Sequence, residues 1–521
     1  MNRRRFIRAS AGTAALAATN RANAIPSNSQ LGANTAGMTV PLLIEDYQVI
    51  QRDKEEKGAC LIRIPDNQGR SQDVDVRIVD ETGRIWVDGH FKPQESRSVG
   101  RHVLIDNIPM GGPYTISLGA QQRRKSLETE IAFRHILVGD IWILGGQSNM
   151  FGAAVQEERL PALPYLNMLN LLHTELDSHW CSAIPPIHRS SKQLAPNRFK
   201  RMYPGATDIE IKQMVASNVP AGAIGPAYFF AKELFELGSN VPIGLIPCAI
   251  GAALAVWDPV KRDQNRYGFL HHHVMRAGGR VKGMLWYQGE QDAVFGDEQK
   301  VVTKPSLIYP FPTYGDQFTK FVAALRSDFH NPELVVILAQ ICRHHNSEKG
   351  RQKAWEAVRD IQRRIPQRLP YAHTVTTVDL DLTDGIHIDY WSQKRLGRRM
   401  AYVALPYVSK GVPPRSEIRL KSVKWKSKPA IVVEFEGVSG NLRSPGRPTG
   451  FQLKKKETGE DVDWIFRTDF DRDRPARLIL KVAGNQREGL VLFYAPGAAP
   501  YANIVDDNDM AVPAFGPIDV T

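Results

Sequence analysis

The sequence contains no apolar run approaching the ~20 residues that a helix needs to cross a bilayer, so no membrane span is expected, and it has only four cysteines in 521 residues. Cys60, Cys181, Cys248 and Cys342 stand far apart and form no CxxC pair, which removes the common zinc motifs. Histidine occurs in runs, His271-His272-His273 and His344-His345, but neighbouring residues on a helix or strand point in different directions. No carboxylate–histidine spacing of a metal enzyme accompanies them, so neither a metal nor a cofactor is expected. No periodic repeat is present.

Acidic residues are outnumbered, 55 against 67 Lys and Arg, for a net charge of +12. Part of that excess is local. Residues 1–24 contain Arg3, Arg4, Arg5, Arg8 and Arg21 and no acid, then a mildly apolar alanine-rich stretch and the small-residue site Ala22-Asn23-Ala24. This order of basic, apolar and cleavage regions is that of a twin-arginine export signal. Its removal would leave +7, and the expected location is the periplasm or the extracellular space. A chain exported already folded passes its folding in a reducing compartment, so buried thiols are expected rather than disulfides. The remaining charge is scattered in short clusters, Lys421, Lys424 and Lys426, then Lys454-Lys455-Lys456. With no nucleic-acid recognition fold beside them they read as solvated strand faces, and no nucleic-acid partner is expected.

Residues 25–39 are rich in Ser, Asn and Gly and read as a linker. From 40 to about 134 short alternating runs such as Val74-Asp75-Val76-Arg77-Ile78 are punctuated by Gly, Asp and Pro, the pattern of a small β-sandwich. Strands and helices then alternate. Helices are expected at 226–237, 314–329, 352–365 and 391–404, and strands at 241–250, 283–287, 334–339 and 374–379, which implies a parallel three-layer α/β unit. Residues 156–220, with several prolines, break this rhythm and read as a long excursion beside a substrate pocket. Strands return after about 413.

What is present in the middle of the chain carries chemistry. Asp140-Ile141-Trp142-Ile143-Leu144-Gly145-Gly146-Gln147-Ser148-Asn149-Met150 is an apolar strand running into a Gly-Gly turn with a serine at its exit, the build of an exposed hydroxyl nucleophile. Asp384-Gly385-Ile386-His387-Ile388-Asp389 supplies a base and an acid three residues before it, so that one carboxylate can fix the imidazole tautomer in a single loop. Asp389 is a less favoured acid. Two further strand ends, Ile246-Pro247-Cys248-Ala249-Ile250-Gly251 and Gly283-Met284-Leu285-Trp286-Tyr287-Gln288-Gly289-Glu290, are placed to present oxyanion donors.

These four blocks in this order resemble those of the SGNH-type hydrolases, in particular the sialate O-acetylesterases and related carbohydrate acetylesterases. The resemblance covers about residues 139–405 and extends to the flanks through Gly111-Gly112-Pro113-Tyr114 and Phe493-Tyr494-Ala495-Pro496-Gly497. It implies a flavodoxin-like three-layer domain between all-β modules, with 1–24 as signal, 25–39 as linker, 40–136 as the first β-module, 137–410 as the catalytic domain and 411–521 as the second β-module. It implies Ser148, His387 and Asp384 as the triad, and the N–H groups of Ser148 and Gly251 with the Gln288 side chain as the oxyanion hole. The usual second glycine of the second block is Ala252 here, followed by Ala253, so Gly251 alone is carried over. Glu290 competes with Asp384 for the acid role. Gln147, Asn149 and Trp257 are further candidates for substrate contact, Trp257 by stacking on a sugar or else as structure. The implied reaction is removal of acetyl groups from sialic acids or other sugars and glycans. An acetylxylan or polysaccharide acetylesterase, or a silent carbohydrate-binding protein on the same scaffold, remain as alternatives.

Overall fold

The computed structural model describes residues 44–64, 73–96, 100–120, 131–171, 178–188, 223–260, 265–295, 313–345, 349–426, 429–484 and 487–521. The expected signal, the linker and most of the second half of the 156–220 excursion lie outside the described residues.

The molecule is organised on one 16-residue strand, Ile131–Gly146. Its first half pairs antiparallel with Gly111–Ala120. That partner pairs in turn with Val74–Asp80, and Val74–Asp80 with Ile85–Phe91. A second sheet of Lys57–Arg63, Gly100–Pro109 and Gln94–Ser96 shares with it a core that includes Cys60, Ile62, Val76, Ile78, Val103, Ile105 and Ile116. Alternation in these strands puts every second side chain into that core.

From Ile136 onward the same strand is buried throughout and enters a second environment. There it lies between Ile243–Pro247 and Gly283–Tyr287, parallel to both, and Val335–Gln340 and Ala372–Thr376 follow in parallel. Near-continuous apolar sequence is what a strand covered on both faces requires. Trp142, Leu144, Leu285, Tyr287 and Ile337 face one core with Tyr228, Phe230 and Met400. Ile141, Ile143, Met284, Trp286 and Leu338 face another with Tyr267, Phe318 and Phe321. The helices Ala227–Glu236 and Tyr390–Val408 cover the first face; Arg266–Arg276 and Tyr314–Asp328 cover the second. Tyr267, Leu270 and Val274 show why Arg266–Arg276 lies as it does, since their spacing is one helical stripe and all three are buried. The histidine run falls on this helix. His273 points inward, bonded to Phe269 O at 2.7 Å, and burial holds it down at about pKa 4.

One reading of the excursion is corrected. Leu166–Asn170 and His179–Ser182 are strands that extend the central sheet beyond Ile243–Pro247, the first parallel and the second antiparallel. Setting this pair aside, the five parallel strands run, in chain order, 2-1-3-4-5, an order shared with flavodoxin-like sheets.

Asp140 lies fully buried in the apolar strand. Arg52 makes this possible with Nε and Nη2 donating to its two oxygens at 2.9 and 2.8 Å, and Gln51 Nε2 donates at 3.0 Å. Two four-stranded antiparallel sheets, Arg419–Trp425 with Ala430–Glu436, Arg477–Val482 and Ile465–Phe470, and Asp461–Val462 with Phe451–Lys455, Leu490–Tyr494 and Phe515–Asp519, close the chain. Buried polar bonds fix them to the α/β unit. The Gln340 amide bonds Ala514 in both directions at 2.8 and 2.9 Å, and Arg359 donates to Gly497 O and Ala498 O. Lys421, Lys424 and Lys426 are exposed around buried Val423, as a half-buried strand demands. All four cysteines are free thiols, and Cys60, Cys248 and Cys342 are buried.

Candidate active site

At the carboxyl end of the central strand the chain turns at Gly146, with φ +124°. A Cβ there would meet Tyr287 O at 2.1 Å, so only glycine fits. Gln147 N–H donates to Tyr287 O at 2.8 Å and the helical turn Ser148–Phe151 begins at once. Its first N–H groups, that of Ser148 among them, have no acceptor within the helix.

The loop after Ala372–Thr376 brings the base. Ser148 Oγ donates to His387 Nε2 at 2.8 Å, and His387 Nδ1 donates to Asp384 Oδ2 at 2.7 Å. The other Asp384 oxygen accepts the N–H groups of Ile386 and His387, both at 2.8 Å. Burial works to raise the Asp384 pKa, but the ring and backbone hydrogen bonds together outweigh it and hold the carboxyl at about 2. The side chains of His387 and Asp384 are 22% and 53% exposed, so the line opens to solvent.

The remaining residues named from sequence take other places. Glu290 is buried and does not reach the imidazole: its Oε1 accepts Asn149 Nδ2 at 2.8 Å, and Oε2 has no partner. Burial raises its pKa. Asn149 is also buried, and beyond Glu290 it donates to Ile386 O at 3.3 Å and accepts Ile388 N–H at 3.1 Å. It is a strut between the serine turn and the histidine loop, not a substrate contact. Asp389 caps the following helix, accepting Ser392 N–H at 2.8 Å, and so is not an acid for His387. Trp257 is buried edge-on against Trp286 and Phe321, with centroids 5.1 and 6.0 Å apart; it is core and not a sugar platform. Gln147 is nearly buried and its Oε1 accepts Gln291 N–H at 3.4 Å.

Gln288 corrects the expected oxyanion hole. Its amide is fully buried, and Nε2 donates to Ala252 O at 3.3 Å and to the Asp292 carboxylate. Both hydrogens are engaged, so the side chain supports the Gly251 turn instead of completing the hole. Gly251 itself is exposed, and among the described residues its N–H has no acceptor.

Sequence reading missed two residues. Asp292, one helical turn beyond Gln288, also accepts Leu254 N–H at 3.1 Å and ties the two loops together. Burial above all lifts its pKa to about 6. The four-residue spacing from Gln288 was its visible signal. His188 is buried beside Phe151, and its Nε2 accepts Ala249 N–H at 3.1 Å. Burial drives its pKa to about 3, so it stays neutral and remains an acceptor. Nothing in the sequence marked it.

The family model described as "Carbohydrate esterase, sialic acid-specific acetylesterase" matches residues 138–406, more than half of the chain. The chain belongs to this family. A probable carbohydrate esterase of Arabidopsis thaliana is 27% identical over 281 residues, 51% of this chain and 90% of that protein. A sialate O-acetylesterase of Pongo abelii is 20% identical over 314 residues, and the chain spans about half of it, 54%. A crystal structure of a carbohydrate acetylesterase from Xanthomonas citri matches with a TM-score of 0.62 at 20% identity, covering 92% of this chain and 99% of that one. At that identity the likeness establishes the fold, β-modules included.

Proposed function

We propose that this member of the carbohydrate esterase family is a serine esterase that removes O-acetyl groups from sugars, with sialic acids as one substrate class, on an SGNH-type three-layer domain flanked by β-modules. The observation that carries the reading is the continuous line from Ser148 Oγ through His387 to Asp384. Ser148 attacks the ester carbonyl as His387 takes its proton at Nε2. Asp384, ionised at any working pH, keeps Nδ1 protonated and steadies the imidazolium. The N–H groups of Ser148 and Gly251 receive the oxyanion; loss of one such donor costs about 100- to 1000-fold. The protonated His387 then donates to the sugar oxygen as the C–O bond breaks, and water activated by the same ring releases acetate from the acyl-enzyme.

The solvent-open His387–Asp384 edge suits a leaving group as large as a glycan. Export by the twin-arginine route, motivated by Arg3-Arg4 and Ala22-Asn23-Ala24, would put the enzyme among such substrates. The test is acetate release from a panel of O-acetylated sialic acids, acetylated xylan oligosaccharides and aryl acetates. Turnover of any sugar ester that disappears in Ser148→Ala supports the proposal. Acetate release that survives Ser148→Ala would sink it, and the preferred panel member names the sugar.

A further inference from the structure

At the opposite, amino end of the central strands lies a cavity of about 580 Å³, within the ~300–1,000 Å³ range of small-molecule sites. Asp140 marks its floor, and it is walled by the entering segment of the first β-module, the residues leading into Gly283–Tyr287 and Val335–Gln340, and the end of the helix Tyr390–Val408. It is therefore separated from Ser148 by the length of the sheet, about 20 Å at ~3.3 Å per strand residue.

Its charges do not balance. Every lining acid has a partner: Arg52 holds Asp140 at 2.8 Å and Glu56 at 3.2 Å, Lys410 reaches Glu56 at 3.5 Å, and Lys54 holds Glu333 at 3.5 Å. Asp53 accepts the N–H groups of Glu55 and Lys57. Arg280 and Lys282 are left. Both line the cavity, and among the described residues neither side chain has an ion pair or hydrogen bond. Lys282 is half-buried, and burial lowers its pKa, with Asp140 opposing. The cavity is lined by five Lys and Arg against four Asp and Glu, and two cationic heads without hydrogen bonds facing a roomy, net-positive cavity are a recognition surface for an anion. The apolar walls, Phe329 and Tyr407, suit the carbon body of an organic one.

We propose that this cavity binds a small organic anion whose carboxylate or phosphate lies against Arg280 and Lys282, apart from the esterase site. The shared chemistry is an oxyanion group, so the probes are glucuronate, a sugar acid, and inorganic phosphate. Each is titrated calorimetrically into the full chain at low ionic strength, to about 10 mM so that a millimolar site is filled. Arg280→Gln/Lys282→Gln should bind at least about tenfold more weakly, since each charged bond is worth roughly that factor. The double variant should retain aryl-acetate turnover and its ligand-free melting temperature, which shows that it folds. Ser148→Ala should bind like the native chain. Glucuronate preference would identify a sugar acid, and phosphate preference a phosphorylated ligand. No heat with either probe, equal binding by the double variant, or loss of binding in Ser148→Ala would overturn the proposal.

Discussion

Asn149→Ala is the most searching perturbation of this site, because Asn149 touches neither solvent nor substrate space and yet joins three segments. Its amide gives Glu290 a bond of 2.8 Å and Ile386 O one of 3.3 Å, and its oxygen takes the Ile388 N–H at 3.1 Å. The bond to a carboxylate contributes about 1.5–3 kcal/mol and the two neutral bonds about 0.5–1.5 kcal/mol each. Truncation also strands the buried Ile388 N–H and leaves Glu290 without a side-chain donor. The expected destabilisation is about 3–5 kcal/mol, a large part of a typical domain's margin.

Urea unfolding of the native chain, Asn149→Ala, Glu290→Gln and the double variant gives the coupling directly. A value of about 1–2 kcal/mol is expected for the pair. Burial raises the Glu290 pKa above its ordinary 4.5, and the Asn149 bond opposes that rise. A carboxyl whose folded pKa is raised contributes stability at pH below its unfolded pKa and loses it as pH rises toward the folded one. Removing Asn149 widens that window, so Asn149→Ala should lose stability more steeply above about pH 4.5 than the native chain does. Turnover should fall as well, because the histidine loop loses its strut. A destabilisation under about 1 kcal/mol, or coupling indistinguishable from zero, would refute the strut argument.

Asp384→Asn should lower turnover on aryl acetates by about 10⁴-fold, against a much smaller loss for Glu290→Gln; the reverse order in steady-state kinetics would move the acid to Glu290. Because the Asp384 carboxyl is depressed from 3.8 to about 2, its contribution is full above about pH 4 and vanishes as pH falls through 2. The stability difference between native and Asp384→Asn chains should therefore shrink over that interval in acid titrations followed by circular dichroism. Arg52→Ala should cost about 3–5 kcal/mol in denaturant melts by leaving buried Asp140 uncompensated; Arg52→Ala with Asp140→Leu should recover much of it. Replacing Arg3 and Arg4 with Lys should hold precursor in the cytoplasm, measured by cell fractionation, and unchanged export would count against the signal.

Local chemistry was legible in the residues themselves. Gly145-Gly146 before Ser148 announced a sharp turn because no other residue tolerates φ +124° with a backbone carbonyl 2.1 Å from its Cβ position. Asp384 and His387 are three residues apart in one loop, so their contact needs no distant partner. Apolar runs and helical stripes likewise located most of the α/β unit. Leu166–Asn170 and His179–Ser182 escaped because two short strands gain their identity from an available sheet edge, not from their own pattern. Gln288, Glu290, Asn149 and Trp257 had the right composition for a site, but which way each side chain turns at a strand end depends on what packs there. Asp292 claims the Gln288 amide, Asn149 claims Glu290, and Trp286 with Phe321 encloses Trp257. The sequence by itself determined the serine turn and the short loop that sets Asp384 beside His387, and left Asp384 and Glu290 open as the acid; the partners that turn the neighbouring residues inward lie from 4 residues away, Asp292 for Gln288, to 239, Ile388 for Asn149, and only the packed tertiary structure decides among them.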